Sequence, residues 1–312
     1  MAYPGGPASA ADLVGRSAAA LVSGIPAQPA DDGFFGPASV TWRISGDLTA
    51  PVAGLRALLI QALHPLAMAG VDQHSDWRAD PVGRLAATSA YVSTITFGER
   101  AGAEHAAARV RRIHERVNGV DPVTGQEYRA SDPALLLWVH AALVDSNLAA
   151  REAFGVPLTG DDADRYVEEM VVAAELVGVP AASVPDSVAG LARYLAWVRP
   201  QLRCTQAAEQ SAAYLLDPPG LDEEVAEIWQ DIREAVLICL PDWARLAYGF
   251  TAPELTGGRR EEIRQALGVL DAVFLGEPGV LEARQRVTLR MRAHAAGSGA
   301  RPPGAVTAAS PS

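Results

Sequence analysis

Residues 132–155, DPALLLWVHAALVDSNLAAREAFG, decide the fold. Asp132 offers a side-chain acceptor just ahead of Pro133, a combination that starts a helix because proline brings no N–H to leave unsatisfied in the first turn. From Ala134 the next three turns are apolar on nearly every face. Such a helix has to be surrounded, by other helices or by a buried group held among them.

The flanking sequence supplies the surroundings. GLRALLIQALHPLAMAGV, residues 54–71, and DPVGRLAATSAYVSTITFG, residues 80–98, both read as helical, the second opened by Asp80-Pro81, with Gly70 and Gly98 as stops. ERAGAEHAAARVRRIHERVNG follows, with Gly119 as its end, and VDPVTGQEYRAS reads as a hairpin turn or short ribbon. Further helices are expected at 160–178, 186–199, 201–216, 220–250 and 259–294, with breaks at Pro180, Pro185, Pro218-Pro219 and Gly257-Gly258. Pro241 should kink or split the fourth of these. The sum is an all-α protein of about ten helices in one domain. Residues 1–50 read as an N-terminal arm in which Phe34, Phe35 and Trp42 could clip onto the core, residues 51–295 as the domain, and residues 296–312 as a disordered tail.

Composition agrees with helices. In 312 residues, 49% are hydrophobic but only 6% aromatic, which favours close helix packing over the alternation of sheets. The net charge of −11, with no basic cluster interleaved with aromatics, excludes a phosphate-tracking surface, so no nucleic acid is expected. The start of the chain lacks the basic, then apolar, pattern of a signal peptide, and no uninterrupted apolar run reaches about 18 residues. A cytoplasmic protein without a transmembrane segment is expected. Cys204 and Cys239 have no metal-ligand spacing and read as small core residues.

Motifs then narrow the chemistry. None of the histidines has an acidic residue three positions before it, which removes the Glu-x-x-His pairs of a di-iron bundle. H-E-x-x-H, Gly-rich phosphate loops and G-x-S-x-G are absent as well. What remains are isolated polar residues in apolar helices: His64, Arg84, Thr88, His114 and His140. Arg84 and Thr88 share one helix face, Arg111 and His114 another. A neutral imidazole can hold a haem iron from one side, and an arginine can neutralise a propionate. Bland readings stand beside these: His64 serving a carbonyl freed by Pro65, His140 as a satisfied core histidine, and Arg111, Arg112 and Arg116 as a solvated basic face.

The series ALHPLAMAGVDQHSDWRADPVGRLAATSAYVSTITFG and ARVRRIHERVNGVDPVTGQEYRASDPALLLWVHAALVDSNLAAREAFG resembles the MpaB-type oxygenases and, more distantly, the latex clearing protein (rubber oxygenase) family. That resemblance spans about residues 35–290 and implies a somewhat globin-like all-α domain enclosing a non-covalent haem b. The family's R-x-x-H matches Arg111-Arg112-Ile113-His114, making His114 the expected proximal iron ligand and Arg111 its charged neighbour. The distal R-x-x-K-T is similar to Arg84-Leu85-Ala86-Ala87-Thr88, with Ala87 where the family has lysine. The sixth iron position is then left to water, to a vacancy or to a residue such as His64. The resemblance implies an oxygenase using dioxygen or peroxide on a small apolar substrate, alkene- or prenyl-containing molecules among the candidates. A non-catalytic haem or lipid carrier is the alternative, a cofactor-free interaction protein is a third reading, and a homodimer is allowed.

Overall fold

A computed structural model of the protein describes residues 10–221 and 223–297. The first residues of the expected arm and residues 298–312 of the expected tail lie outside the described residues. Helix accounts for 70% of the structure and strand for 2%, which settles the class as all-α.

At the centre, α7 (Pro133–Phe154) lies along α3 (Ala50–Ala62); both pack on α12 (Glu223–Cys239), and α7 also packs on α14 (Gly257–Leu275). Trp138, Leu59, Ile60, Phe154, Ile232 and Leu267 are almost fully buried in this largest core cluster. Asp132 caps α7 by accepting from the Ala134 N–H at 2.9 Å. One cation is buried here with its partners: Arg56, 3% exposed, donates to the Cys239 carbonyl at 2.8 Å and Ser146 Oγ at 2.7 Å, and pairs with Asp145 at 2.7 Å. Among the described residues α7 is the single helix long and apolar enough to span a bilayer, yet α3, α9 (Val171–Val177), α10 (Val188–Val198), α12 and α14 all pack on it.

The expected kink at His64-Pro65 is a sharp break: α3 and α4 (Pro65–His74) meet at 102°. Pro65 has no N–H for the Gln61 carbonyl, and that carbonyl is served instead by Trp138 Nε1 at 3.1 Å and the His64 backbone N–H at 3.2 Å. Thus the His64 ring is not the group that satisfies it. The helix runs through Gly70 to His74, so Gly70 is not a stop. Its Cα faces the Tyr128 ring, where a Cβ would lie 3.5 Å away in ordinary contact, so neither a turn nor a close approach calls for glycine there.

Next, α5 (Pro81–Phe97) and α6 (Arg100–His114) form a helical hairpin turning at Gly98. Asp80 caps α5 through the Gly83 N–H at 2.9 Å and holds Arg16 of α1 (Ala10–Ser23) at 2.8 and 2.7 Å. At Gly24, just past α1, a Cβ would fall 2.3 Å from the Thr94 backbone nitrogen, so only glycine lets the chain approach α5 so closely. The third expected helix ends at His114, short of Gly119, because the chain leaves for a ribbon: β1 (Asn118–Val120) pairs antiparallel with β2 (Glu127–Arg129), Gly119 opposite Tyr128. Buried Asp121 organises its turn by accepting from the Val123 and Thr124 N–H groups at 3.2 and 2.9 Å.

Several expected windows divide into shorter helices. Residues 160–178 give α8 (Gly160–Glu169) and α9, and 220–250 give α12 and α13 (Asp242–Tyr248), split at Pro241 as its missing N–H dictates. The window 259–294 divides into α14 and α15 (Val280–Gly297) at Gly279, whose φ of +80° no continuing helix adopts. Gly257 and Gly258 open α14 under a Thr256 cap and do not separate helices. Thr205 caps α11 (Gln206–Leu216), whose start falls later than expected. Trp42, in α2 (Val40–Ser45), is 1% exposed and donates to the Thr96 carbonyl at 2.7 Å.

Candidate active site

Where α3, α4, α5, α6, α7 and α11 face one another they leave a cavity of about 560 Å³. The volume lies within the range of about 300–1,000 Å³ typical of ligand and cofactor sites. Its wall is mainly apolar. Ile113 and Val139, 51% and 41% exposed, line it, so large apolar side chains there are left uncovered by their own neighbours. That void explains why α7 is apolar even on the face its neighbouring helices do not cover.

Polar groups are a minority of the wall, and four of them, Arg84, Thr88, Tyr91 and Thr96, come from α5. Arg84, Thr88 and Tyr91 fall on one face because the spacing i, i+4, i+7 keeps side chains in register with the helical turn. Arg84 has no ion-pair partner among the described residues, and burial lowers its pKa. The hydroxyl of Thr88 donates to the Arg84 carbonyl at 3.0 Å, so its proton is spent on its own helix and its lone pairs face outward. Tyr91 has a buried hydroxyl with no hydrogen-bond partner, and burial pushes its pKa up to about 12.

Two imidazoles line the same cavity. His114, the last residue of α6, lines the cavity with a buried Nδ1 that makes no hydrogen bond. Burial first, and the positive charge of Arg84 second, hold its pKa below the ordinary 6.5, so the ring is neutral. His140, on α7, also lines the cavity, and burial pushes its pKa down to about 4. Arg84, Thr88, His114 and His140 are therefore brought together.

Arg111 and His64 are not on this wall. Arg111 donates to the Leu176 carbonyl at the C-terminal end of α9, and its stem passes Gly178. There it meets carbonyls that the helix leaves unpaired, so it fastens α6 to α9. His64 sits behind the wall, 7% exposed, its ring 6.1 Å from that of Trp138 and its Nδ1 without a partner. Burial lowers its pKa too. Cys204 and Cys239 are free thiols pushed up to about 11 and about 12 by burial, hence protonated.

Among the described residues no group of three or more His, Cys, Asp or Glu side chains could hold a bare metal ion. The catalytic-domain family described as ER-bound oxygenase mpaB/B'/rubber oxygenase matches residues 42–272. The chain belongs to this oxygenase family. No curated protein and no solved structure matches it. The matched span contains all the polar wall residues named above and ends within α14, leaving α1 and α15 outside. Sequence reasoning passed over Tyr91. Its signal was its place seven residues after Arg84, on the face that Arg84 and Thr88 already marked.

Proposed function

We propose that the protein is a haem b-dependent oxygenase acting on a small apolar molecule with dioxygen or peroxide. The reading is carried by one observation: a neutral imidazole and an unpaired arginine line a single cavity whose walls are mainly apolar, with the orphaned phenol of Tyr91 built into that wall. Those residues fit the group. A macrocycle supplies its own equatorial donors, so the iron needs only one protein ligand and not a cluster. His114, kept neutral, has the lone pair for that bond. Arg84 lacks an anion, and a propionate supplies one. Exposed Ile113 and Val139 gain an apolar partner whose burial stabilises at about 25 cal/mol per Å².

Bound haem supplies the redox chemistry that activates the oxidant. The chain does the rest. His114 would hold the iron, Arg84 would hold negative charge at the cavity wall, and Tyr91, protonated near neutral pH, would donate a hydrogen bond. Thr88 accepts one without giving up its bond to Arg84. The apolar wall admits a hydrocarbon chain and excludes bulk water, so these few polar groups act in a low dielectric.

Expression with ample haem should give a protein with a Soret band and a pyridine haemochrome signal, and His114→Ala should lose most of both. A colourless wild-type protein sinks the reading. Bleaching by His140→Ala but not by His114→Ala would move the ligand to α7. Dioxygen uptake with prenyl or alkene substrates then separates turnover from carriage.

A further inference from the structure

The two ends of the cavity differ. Along α5 its lining passes from exposed at Arg84, Ala87 and Thr88, through half-buried at Tyr91 and Val92, to buried at Ile95 and Thr96. From Arg84 to Ile95 the helix rises by about 16 Å. On α6 the lining residues Val110, Ile113 and His114 belong to the last turns, which the hairpin sets beside the first turns of α5. The space is thus uncovered at the end that holds Arg84 and His114, and covered at the other, near the α5–α6 turn. Past Tyr91 no charged side chain of α5 lines it.

Phe35 stands at the covered end. It lines the cavity and packs both on the cluster of Ile95, Ala103 and Ala107 and on that of Trp42 and Phe97. The chain presents it through Gly-Phe-Phe-Gly, residues 33–36, whose glycines take φ of +70° and +72°. A Cβ on Gly33 would fall 2.3 Å from the Gly98 carbonyl oxygen, so this turn lies directly against the end of α5. Phe34 does not line the cavity, and the Arg100 guanidinium lies 4.2 Å over its ring. Asp31 fastens the turn by accepting from the Gly33 and Arg100 N–H groups at 2.7 and 2.9 Å, and Glu99 accepts from the Ala30 N–H at 2.7 Å. Among the lining residues Phe35 alone lies outside the span 42–272 that the family matches, so this end of the cavity is closed by the chain's own arm.

We propose that Phe35 is the end stop of the cavity, the residue that limits how long an apolar ligand the space accepts. The inference rests on the reading that this cavity holds an apolar molecule, and it adds what sets the length of that molecule. The ligand lies with its apolar end against Phe35 and any polar group toward Arg84, because a polar group at the covered end would lose water without gaining a charged partner.

Calorimetric titration of the full chain with straight-chain 1-alkanols, from 1-hexanol to 1-tetradecanol, reads that length. Affinity should rise about fourfold with each methylene buried and then level off where the chain meets the ring. In Phe35→Ala the rise should continue for at least about two further methylenes, into the room left by the missing ring. Phe35→Leu, the milder change, should move the limit in the same direction by less, and Phe34→Ala should leave it in place. Circular dichroism checks that each variant folds. A series that binds without a limit, one that does not bind, or a limit that stays put in both Phe35 variants overturns the proposal. A protein that takes up no haem yet shows the shifted limit loses the haem reading alone, and a haem-loaded protein whose limit ignores Phe35 loses only the end stop.

Discussion

Tyr91 shows how a single residue can be wrong for stability and right for a site. Its hydroxyl is buried without a partner, and an unsatisfied buried polar group costs about 1–3 kcal/mol. Tyr91→Phe should therefore raise the stability of the ligand-free protein by about 1 kcal/mol in urea unfolding, while weakening haem retention or turnover. Lower stability with unchanged activity would mean that the hydroxyl has a partner in solution and no role in the cavity. The histidines make a second residue-scale case. His64, His114 and His140 all have folded pKa values below the ordinary 6.5, His140 down to about 4, with burial the first cause in each. Below 6.5 the unfolded chain binds protons that the folded chain does not, so stability is present above 6.5 and lost as pH falls toward 4. Asp31 and Asp80, held below the ordinary 3.8 by hydrogen bonds, lose their contribution only beneath that value. Urea midpoints measured between pH 6.5 and about 4 should fall steadily, and His140→Gln should flatten the slope. An unchanged slope in that variant would place the loss elsewhere.

At the scale of elements, α5 carries the cavity's polar face and is itself held by α1. Asp80 joins them, capping α5 and holding both terminal nitrogens of Arg16. Asp80→Ala should cost about 1 kcal/mol, the usual worth of a cap. The same change should speed amide exchange in α1 more than in α7. Equal protection of α1 in both proteins would show that Gly24 and the packing of α1 suffice without the ion pair. The hairpin α5–α6 also shows what the sequence could and could not say. Asp80-Pro81, Asp132-Pro133 and Pro241 act locally, through one cap or one missing N–H, and the elements begin and break where those residues stand. Gly70 lies inside a continuing helix, Gly119 in a ribbon whose partner strand is several residues away, and Gly257 opens a helix under the Thr256 cap, so a glycine alone did not mark a stop. For the site, spacing placed Arg84 with Thr88, but spacing gives a face and not what the face looks on. The same periodicity put Arg111 with His114, and only packing against α9 sends Arg111 to a carbonyl while His114 meets the cavity.

At the scale of the whole molecule, helices packed on a filled core of Leu59, Ile60, Trp138, Phe154 and Ile232 leave beside it a space that their own side chains do not fill. Such a space weakens the ligand-free protein, because Ile113 and Val139 stay unburied and Tyr91 and His114 keep orphaned atoms. Whatever binds there should stabilise by mass action, by about 2.7 kcal/mol at a hundredfold excess over Kd. For a protein of this size about 1 kcal/mol moves Tm by some 2 °C, so hemin added to haem-free protein should raise Tm by about 5 °C. Metal-free protoporphyrin offers the same ring without iron for an imidazole to hold, so its shift should be smaller, and the difference between the two measures the contribution of the imidazole. In His114→Ala that difference should vanish while the porphyrin shift persists, because the apolar walls are untouched. His140→Ala should keep it. If hemin and protoporphyrin shift the wild type equally, the cavity binds flat apolar molecules by burial alone, and α6 supplies no ligand to iron.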